Sequence, residues 1–343
     1  MERERLGKYE LVQHLATGGM GSVFLARMPG IAGFARHVVL KTLRGANCRD
    51  LNYVHMFLDE ARVVATLHHQ HVAQVYEVGR AEDGSYYLAM EYVHGETVSR
   101  VIDAAREREL DLPLDFAFTV LCAAAAGLHH AHERRGPDGA PLGIVHRDVS
   151  PSNLIVGYDG GVKLIDFGIA KAANRDTKTA SGFIKGKSGY MAPEQARGYA
   201  VDRRSDVFAL GVLAYELTTL TRAFSAETPF ETIEQIVHGD IVPPSKLVPG
   251  YWPALESAIL TALELDPDDR FESADEMRRV LEEIARAKGL VLGERAVSDV
   301  LTMLFGARPE PWLDPMGGET LVEGEPDDEE TPVHPIWRTP PPV

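Results

Sequence analysis

The stretch HRDVSPSNLIVGYDGGVKLIDFG, residues 146–168, determines how the chain is interpreted. Two apolar runs, 154–156 and 162–165, flank the turn sequence YDGG, which predicts a β-hairpin. Because a hairpin returns the chain to the end where it began, Asn153 and Asp166 should lie together beside Asp148. Two carboxylates and an amide are oxygen ligands that suit Mg²⁺. Loop acids that are capped by neighbouring backbone are an alternative explanation of the same residues.

Two upstream features could complete a phosphate site. The run ATGGMGSV, residues 16–23, is predicted to join two strands, and glycines there let backbone N–H groups approach phosphate oxygens closely. A flexible hairpin is equally compatible with it, and no Lys-Ser or Lys-Thr pair closes it as a P-loop would require. Lys41 ends the strand-like run HVVLK, where a buried ammonium needs a partner such as Glu60. A lysine that reaches solvent at a strand end is the alternative.

The chain divides into a strand-rich first part and a helical second part. Residues 207–217 are apolar nearly all round, as in a helix at the centre of a domain. The predicted fold class is therefore α+β, with a small β-rich lobe, a larger helical lobe and a ligand cleft between them. Strands are expected at 9–15, 22–26, 38–43 and 86–92, and further helices at about 52–67, 116–130, 254–264, 273–287 and 294–305.

The order of these motifs resembles the signature set of protein kinases, and is most similar to the eukaryotic-like (Hanks-type) Ser/Thr kinases of bacteria. The set is a Gly-rich loop, a strand Lys, a helix Glu, HRD-x4-N, DFG and APE at residues 192–194, and the likeness covers about residues 9–285. It implies a bilobal kinase fold and transfer of the γ-phosphoryl group of ATP, with Mg²⁺, to protein Ser or Thr hydroxyls.

The resemblance also implies a role for each matching residue. Asp148 would accept or orient the hydroxyl proton, Asn153 and Asp166 would bind Mg²⁺, and Lys41 would hold the α- and β-phosphates and pair with Glu60. Glu194 would pair with Arg270, and Asp206 would anchor the catalytic loop. The nucleotide would be bound by Leu15, Ala16, Gly18, Gly19, Gly21, Val23, Lys41, Met90 as gatekeeper, and the hinge Glu91 to Val93.

Several residues depart from the family pattern. Ala16 replaces the first loop Gly, and Val39 replaces the usual Ala before Lys41. Ser150 stands where most Ser/Thr kinases have a Lys, and Lys187 stands where they have a Thr. Since those two side chains meet in the family, we hypothesise that they have exchanged places, so that Lys187 reaches Asp148 and the γ-phosphate. The alternative is a solvated Lys187 and a weakened enzyme.

These departures weaken the preference for Ser/Thr over Tyr, although Ser150-Pro151 is closer to the Ser/Thr form. A nucleotide-binding pseudokinase scaffold is disfavoured because all four catalytic positions are filled. A small-molecule kinase is disfavoured by the complete APE segment. Arg147, which precedes Asp148, predicts activation by autophosphorylation at Thr177, Thr179 or Ser181. Self-association of two chains would allow this reaction in trans.

Composition limits the other classes of function. A net charge of −16 argues against nucleic acid as the main partner, and Cys48 and Cys122 are too few for a disulfide framework. The N-terminus lacks a signal-peptide pattern, and the apolar run 116–128 is too short to span a bilayer, so we expect a cytoplasmic protein with no membrane span. A metal site at His68, His69 and His71 is less expected than ordinary loop histidines.

The predicted organisation has four parts. The segment from residue 309 onward is acidic and rich in Pro, which predicts disorder. The parts are an N-terminal segment 1–8, a kinase domain 9–285 with its N-lobe at 9–93 and C-lobe at 94–285, a helical extension 286–308, and the tail 309–343.

Overall fold

The computed structural model describes residues 4–18, 21–43, 51–167 and 188–312. The described part forms a β-rich N-lobe and a helical C-lobe, which confirms the predicted α+β class. The N-lobe sheet is antiparallel, in the order β1-β2-β3-β4-β6-β5. Its strands are β1 (Arg5–Leu6), β2 (Tyr9–Gly18), β3 (Gly21–Pro29), β4 (Ala35–Leu43), β5 (Val75–Arg80) and β6 (Tyr86–Glu91).

The predicted Gly-rich hairpin is confirmed. Strands β2 and β3 pair from Glu10↔Arg27 to Gly18↔Gly21. A Cβ at Gly21 would lie 1.7 Å from the backbone oxygen of Thr42 in β4, so no larger residue fits without moving that strand. The structure thus gives this glycine a packing reason of its own.

Helix α1 (Leu51–Val64) packs against one face of the N-lobe sheet. Its buried side chains Phe57 and Ala61 share an apolar cluster with Leu88 and Met90 of β6. The cluster also includes Phe167, which is only 1% exposed. This core therefore connects α1, the central strands and the segment that follows Asp166.

A second, small sheet begins the C-lobe, with antiparallel strands β7 (Gly95–Thr97), β8 (Leu154–Gly157) and β9 (Val162–Leu164). The pair β8–β9 is the predicted hairpin, in the register Leu154↔Leu164. The Ile165 N–H donates to the Asn153 carbonyl oxygen at 3.0 Å. Asn153 and Asp166 are therefore at the same end of the hairpin, as predicted.

The helices of the C-lobe surround one long buried helix, α5 (Arg203–Thr219). Nearly every side chain of α5 from Ser205 to Leu217 is buried, which confirms the sequence prediction. Helix α3 (Leu114–His132) is apolar and long enough to cross a membrane by length and composition alone, but its side chains are mostly buried among the other helices, as in a core helix. The helices are α2 (Val98–Glu107), α3 (Leu114–His132), α4 (Pro193–Ala196), α5 (Arg203–Thr219), α6 (Pro229–His238), α7 (Pro244–Leu247), α8 (Pro253–Ala262), α9 (Ala274–Ala287) and α10 (Glu294–Phe305).

The sequence did not predict β5, α2 or α6. Charged residues interrupt the apolar pattern of β5, whose sequence is VYEVGR. After the buried Val75, its residues alternate between exposed and partly exposed positions. Helix α2 has only four fully buried side chains and α6 has two, so each presents a narrow apolar stripe. The capping box of α6, formed by Thr228 and Glu231, was the available signal.

Candidate active site

The loop that precedes β8 is anchored to the C-lobe helices by Asp206, in the first turn of α5. Its carboxylate accepts backbone hydrogen bonds from the His146 N–H at 2.7 Å and the Arg147 N–H at 2.8 Å. It also pairs with His132 Nε2 at 2.7 Å, and both side chains are 1% exposed. Burial alone would raise the pKa of Asp206, but these hydrogen bonds, led by His132, keep it below its usual value. The predicted anchoring role of Asp206 is confirmed.

His146 is a neutral structural residue of this loop. Its Nδ1 accepts from the Asp148 N–H at 3.3 Å, so the ring proton is on Nε2, which donates to the Ile165 carbonyl oxygen at 3.2 Å. Complete burial lowers its pKa, although Asp206 and Asp148 oppose the shift. The ring also packs on Phe167 at 4.4 Å between centroids. His146 therefore connects the two loop segments that carry the candidate catalytic acids.

The candidate catalytic groups meet between the lobes as two bonded pairs. Asn153 donates through Nδ2 to Oδ2 of Asp148 at 2.9 Å and to the Asp148 carbonyl oxygen at 2.8 Å. Lys41, near the end of β4, contacts Oδ1 of Asp166 at 3.2 Å. The structure thus brings a strand lysine of the N-lobe to an aspartate that follows the C-lobe hairpin.

Two residues of the site have left-handed backbones, with φ of 64° at Arg147 and 54° at Asp166. Such conformations cost non-glycine residues free energy and persist where surrounding contacts impose them. At Arg147 those contacts include the Asp206 carboxylate on its N–H and the Gln195 side chain, whose Nε2 donates to its carbonyl oxygen at 3.2 Å. The backbone that leads into Asp148 is therefore fixed before any ligand binds.

The ligand atoms and charges of this site fit a divalent cation with a phosphate chain. The hydrogen bonds of Asn153 to Asp148 use its amide nitrogen, and the amide oxygen is the atom type that Mg²⁺ prefers. The Asp166 carboxylate is partly exposed, and Lys41 brings a positive charge to it. A carboxylate, an amide oxygen and an ammonium at one end of the β8–β9 hairpin match the charges of a metal–triphosphate complex.

The residues predicted to surround the adenine occupy neighbouring strands. Ala16 lies opposite Val23 in the β2–β3 pair, and Val39 lies opposite Met90 in the β4–β6 pair. The Glu91 carboxylate is bound by Lys163, with Nζ to Oε1 at 2.9 Å, and the Glu91 N–H donates to the Gln74 carbonyl oxygen at 2.8 Å. Leu15, Gly18, Gly21 and Val93 also lie in or beside these strands.

Some predicted site residues lie outside what the structure describes. Gly19 and Lys187 are outside the described residues, and so is the side chain of Glu60, whose backbone belongs to α1. Thr177, Thr179 and Ser181 are outside them too. The role of Glu60 and the Lys187 exchange therefore remain predictions. Ser150 is described: it is 2% exposed, and its Oγ is 3.1 Å from Ser152 Oγ.

The predicted pair of Glu194 and Arg270 is confirmed as a buried two-bond ion pair. Arg270 donates through Nη1 to Oε1 at 2.9 Å and through Nη2 to Oε2 at 2.8 Å. Burial alone would raise the pKa of Glu194, but the bonds from Arg270 and Ser205 lower it. This pair fixes α4 to the interior of the C-lobe.

Sequence reasoning missed Gln195 as part of the site. Its Oε1 accepts from the Ala192 N–H at 3.0 Å while its Nε2 holds the Arg147 carbonyl oxygen, so one amide connects α4 to the catalytic loop. Its position directly after APE was the only available signal. Within the described residues, no three His, Cys, Asp or Glu side chains are grouped to hold a metal, and this includes His68, His69 and His71.

Comparison with known proteins agrees with this geometry. The protein kinase domain model matches residues 9–281. The chain belongs to the protein kinase family. Its resemblance to the Hanks-type kinases of bacteria is confirmed by relatives and by a solved structure.

One relative is the tyrosine-protein kinase MasK of Myxococcus xanthus, 46% identical over 276 residues, which are 80% of this chain and 43% of MasK. Another is the serine/threonine-protein kinase PknB of Mycobacterium leprae, 33% identical over 93% of this chain and 50% of PknB. The chain thus spans about half the length of these relatives. The crystal structure of the Mycobacterium tuberculosis PknI kinase domain has a TM-score of 0.61 and 27% identity, over 82% of this chain and 98% of that one.

Proposed function

We propose that this chain is an ATP- and Mg²⁺-dependent kinase that phosphorylates Ser and Thr hydroxyls of proteins. One observation carries the proposal: Lys41 of the N-lobe is bonded to Asp166, at the end of the β8–β9 hairpin where Asn153 is bonded to Asp148. Phosphoryl transfer requires mainly positioning and neutralisation of charge. A fixed catalytic loop, a lysine and two oxygen ligands provide both.

Each residue then has a defined task. Lys41 binds the α- and β-phosphates, and its contact with Asp166 keeps its ammonium in place for them. Asp148 orients the substrate hydroxyl and receives its proton, and the amide of Asn153 holds that carboxylate in one orientation. Mg²⁺, when bound by Asn153 and Asp166, offsets the negative charge of the phosphates.

The preference for Ser and Thr rests on two supports. Ser150-Pro151 after Asp148 is closer to the Ser/Thr form, and PknB is named a serine/threonine-protein kinase. Tyrosine phosphorylation is the second candidate, because MasK, at 46% identity, is named a tyrosine-protein kinase. The experiment has to separate the two.

Phosphoamino-acid analysis tests this proposal. The protein is incubated with Mg²⁺, γ-labelled ATP and two substrates, casein for Ser and Thr and a Glu–Tyr copolymer for Tyr, and Asp148→Asn is the control. We expect phosphoserine and phosphothreonine, with no label in the control or in EDTA. Phosphotyrosine alone would establish the second candidate, and absence of label with a well-folded protein would reject a kinase.

Autophosphorylation at Thr177, Thr179 or Ser181 is part of the proposal. A phosphate there would be a partner for Arg147, which precedes Asp148. We expect the triple Ala variant to lose activity, with the loss measured as initial rate on casein. Unchanged rates would show that the segment needs no phosphate.

We also propose the exchange of the catalytic lysine. Lys187 is one residue before Ser188, which is 7% exposed, and Ser150 lies in the catalytic loop at 2% exposure. Lys187→Thr should reduce kcat severely, and addition of Ser150→Lys should restore much of it, which is coupling of the kind that a double-mutant cycle measures. Independent, additive losses in the two variants would contradict the exchange.

A further inference from the structure

The chain crosses from the C-lobe to the N-lobe after its last described helix. We call residues 306–312 the strap. Gly306, with φ of 73°, ends α10 and turns the chain away from it. The strap then passes the segment that joins the lobes and reaches β4 of the N-lobe through Trp312. It lies beyond residues 9–281, the part that matches the kinase family model.

The C-lobe end of the strap is firmly anchored. Helix α10 buries Val297, Val300, Leu301 and Leu304 in the C-lobe core. Arg308 forms an ion pair with Glu96 at 3.2 Å, and its carbonyl oxygen lies 2.9 Å from His94 Nε2.

Glu96 fixes this end further. Its side chain is only 8% exposed and also binds Arg100 at 3.1 Å, and Tyr158 donates to it at 3.1 Å. Arg308 therefore binds a carboxylate that is already held by α2 and by the residue after β8.

The other end of the strap rests on the hinge and the N-lobe. The Trp312 ring stacks on His37 of β4 at 3.9 Å between centroids and 2° between planes. Its edge meets Tyr92, directly after β6, at 5.5 Å and 65°. The pKa of Tyr92 is raised to about 12 by burial and by the charges of Glu96 and Glu310, so Tyr92 remains a neutral aromatic partner.

These contacts connect the strap to both lobes, on either side of the hinge. In a two-lobed enzyme, nucleotide binds and leaves through rotation of the lobes about their connection. A segment fixed to Glu96 on one side and to His37 on the other restricts that rotation. With the strap in place, nucleotide binding therefore has a smaller free-energy cost for ordering the lobes than it would without the strap.

We propose that Trp312 and Arg308 are positioning residues for nucleotide binding, which act by holding the angle between the lobes. The inference rests on the proposed kinase function, and it predicts an effect mainly on the affinity for ATP. The candidate catalytic groups lie at the end of the β8–β9 hairpin, so the turnover of bound nucleotide should change little.

The test compares Trp312→Ala and Arg308→Ala with the wild-type chain. Trp312→Phe keeps an aromatic ring and should rescue function. Arg295→Ala on α10, where the Arg295 side chain is 93% exposed, is the matched control for Arg308→Ala. Trp337→Ala, in the acidic tail, is the control for removal of a tryptophan.

Two readouts are needed. We expect the Kd for a non-hydrolysable ATP analogue and the KM for ATP to rise about fivefold in each strap variant, the size expected for loss of an aromatic or ion-pair contact, with kcat within about twofold. Backbone amides of residues 92–96 should exchange faster with deuterium. The control variants and Trp312→Phe should resemble wild type.

The outcomes distinguish the two proposals. Wild-type protein that binds no nucleotide would overturn the proposed kinase function itself. Wild-type binding with an unchanged or lower Kd in Trp312→Ala would overturn only the strap. A loss of kcat at unchanged Kd would also overturn it, because the strap would then act on chemistry rather than on binding.

Discussion

Substitution of Asp206 by Asn should separate the folding of the C-lobe from the positioning of the catalytic loop. The carboxylate accepts from His132 and from the backbone N–H groups of His146 and Arg147. An Asn side chain has the same shape but one acceptor oxygen and an NH₂ group. One buried donor must then face another donor, and the other bonds lose their charge assistance.

The expected cost follows from these contacts. A buried donor without an acceptor costs about 1–3 kcal/mol, and weakened charged bonds add to it, so we expect a loss of about 2–4 kcal/mol in unfolding free energy. The left-handed Arg147 backbone stores about 1–3 kcal/mol that Asp206 helps to impose. Its partial release next to Asp148 should lower kcat/KM about ten- to hundredfold.

Asp202→Asn is the matched control on the same helix. Asp202 caps α5 by accepting from the Arg204 N–H at 2.8 Å and is half exposed, and Asn caps helices equally well. We expect this variant to remain within about 1 kcal/mol of wild type with normal kinetics. The measurements are urea unfolding, initial rates on casein, and deuterium exchange of the His146 and Arg147 amides.

The sign of the pH dependence gives a second check on Asp206. Its pKa is lowered in the folded state, so its contribution to stability is full above its ordinary pKa of 3.8 and is lost as pH falls further. The stability gap between wild type and Asp206→Asn should therefore narrow in acid. Normal kcat/KM and normal amide protection in Asp206→Asn would refute the anchoring role.

Three further predictions follow from single contacts. Glu194→Gln leaves Arg270 buried without its counter-charge and should cost about 3–5 kcal/mol in urea unfolding; a loss below 1 kcal/mol would contradict the pairing. Gly21→Ala places a methyl against the Thr42 carbonyl and should lower Tm, unlike Ser22→Ala; equal Tm values would count against the close packing. Burial, with His130 and His71, lowers the pKa of His69 to about 4 in the folded protein. The unfolded chain therefore takes up a proton at His69 first, and the unfolding free energy decreases as the pH falls below about 6.5. His69→Gln should reduce the decrease of the urea midpoint between pH 6.5 and 5. An unchanged dependence of the midpoint on pH would exclude His69 as its cause.

The sequence by itself determined the local parts of the site. The turn residues between two short apolar runs set the β8–β9 hairpin, and a hairpin brings Asn153 and Asp166 to one end whatever surrounds it. The apolar run before Lys41 similarly predicted its strand. These features depend on the conformations of a few consecutive residues, which turn chemistry and side-chain periodicity limit directly.

Only the tertiary structure decided the contacts that join distant segments. The Gln195 bridge to Arg147 and the Trp312 stack on His37 involve ordinary polar and aromatic residues whose spacing gives no periodic signal. The reason why Gly21 is glycine also became visible only when β4 lay beside it. Such contacts arise when packing of the cores brings separate elements together, because their energies depend on distances that local sequence does not set.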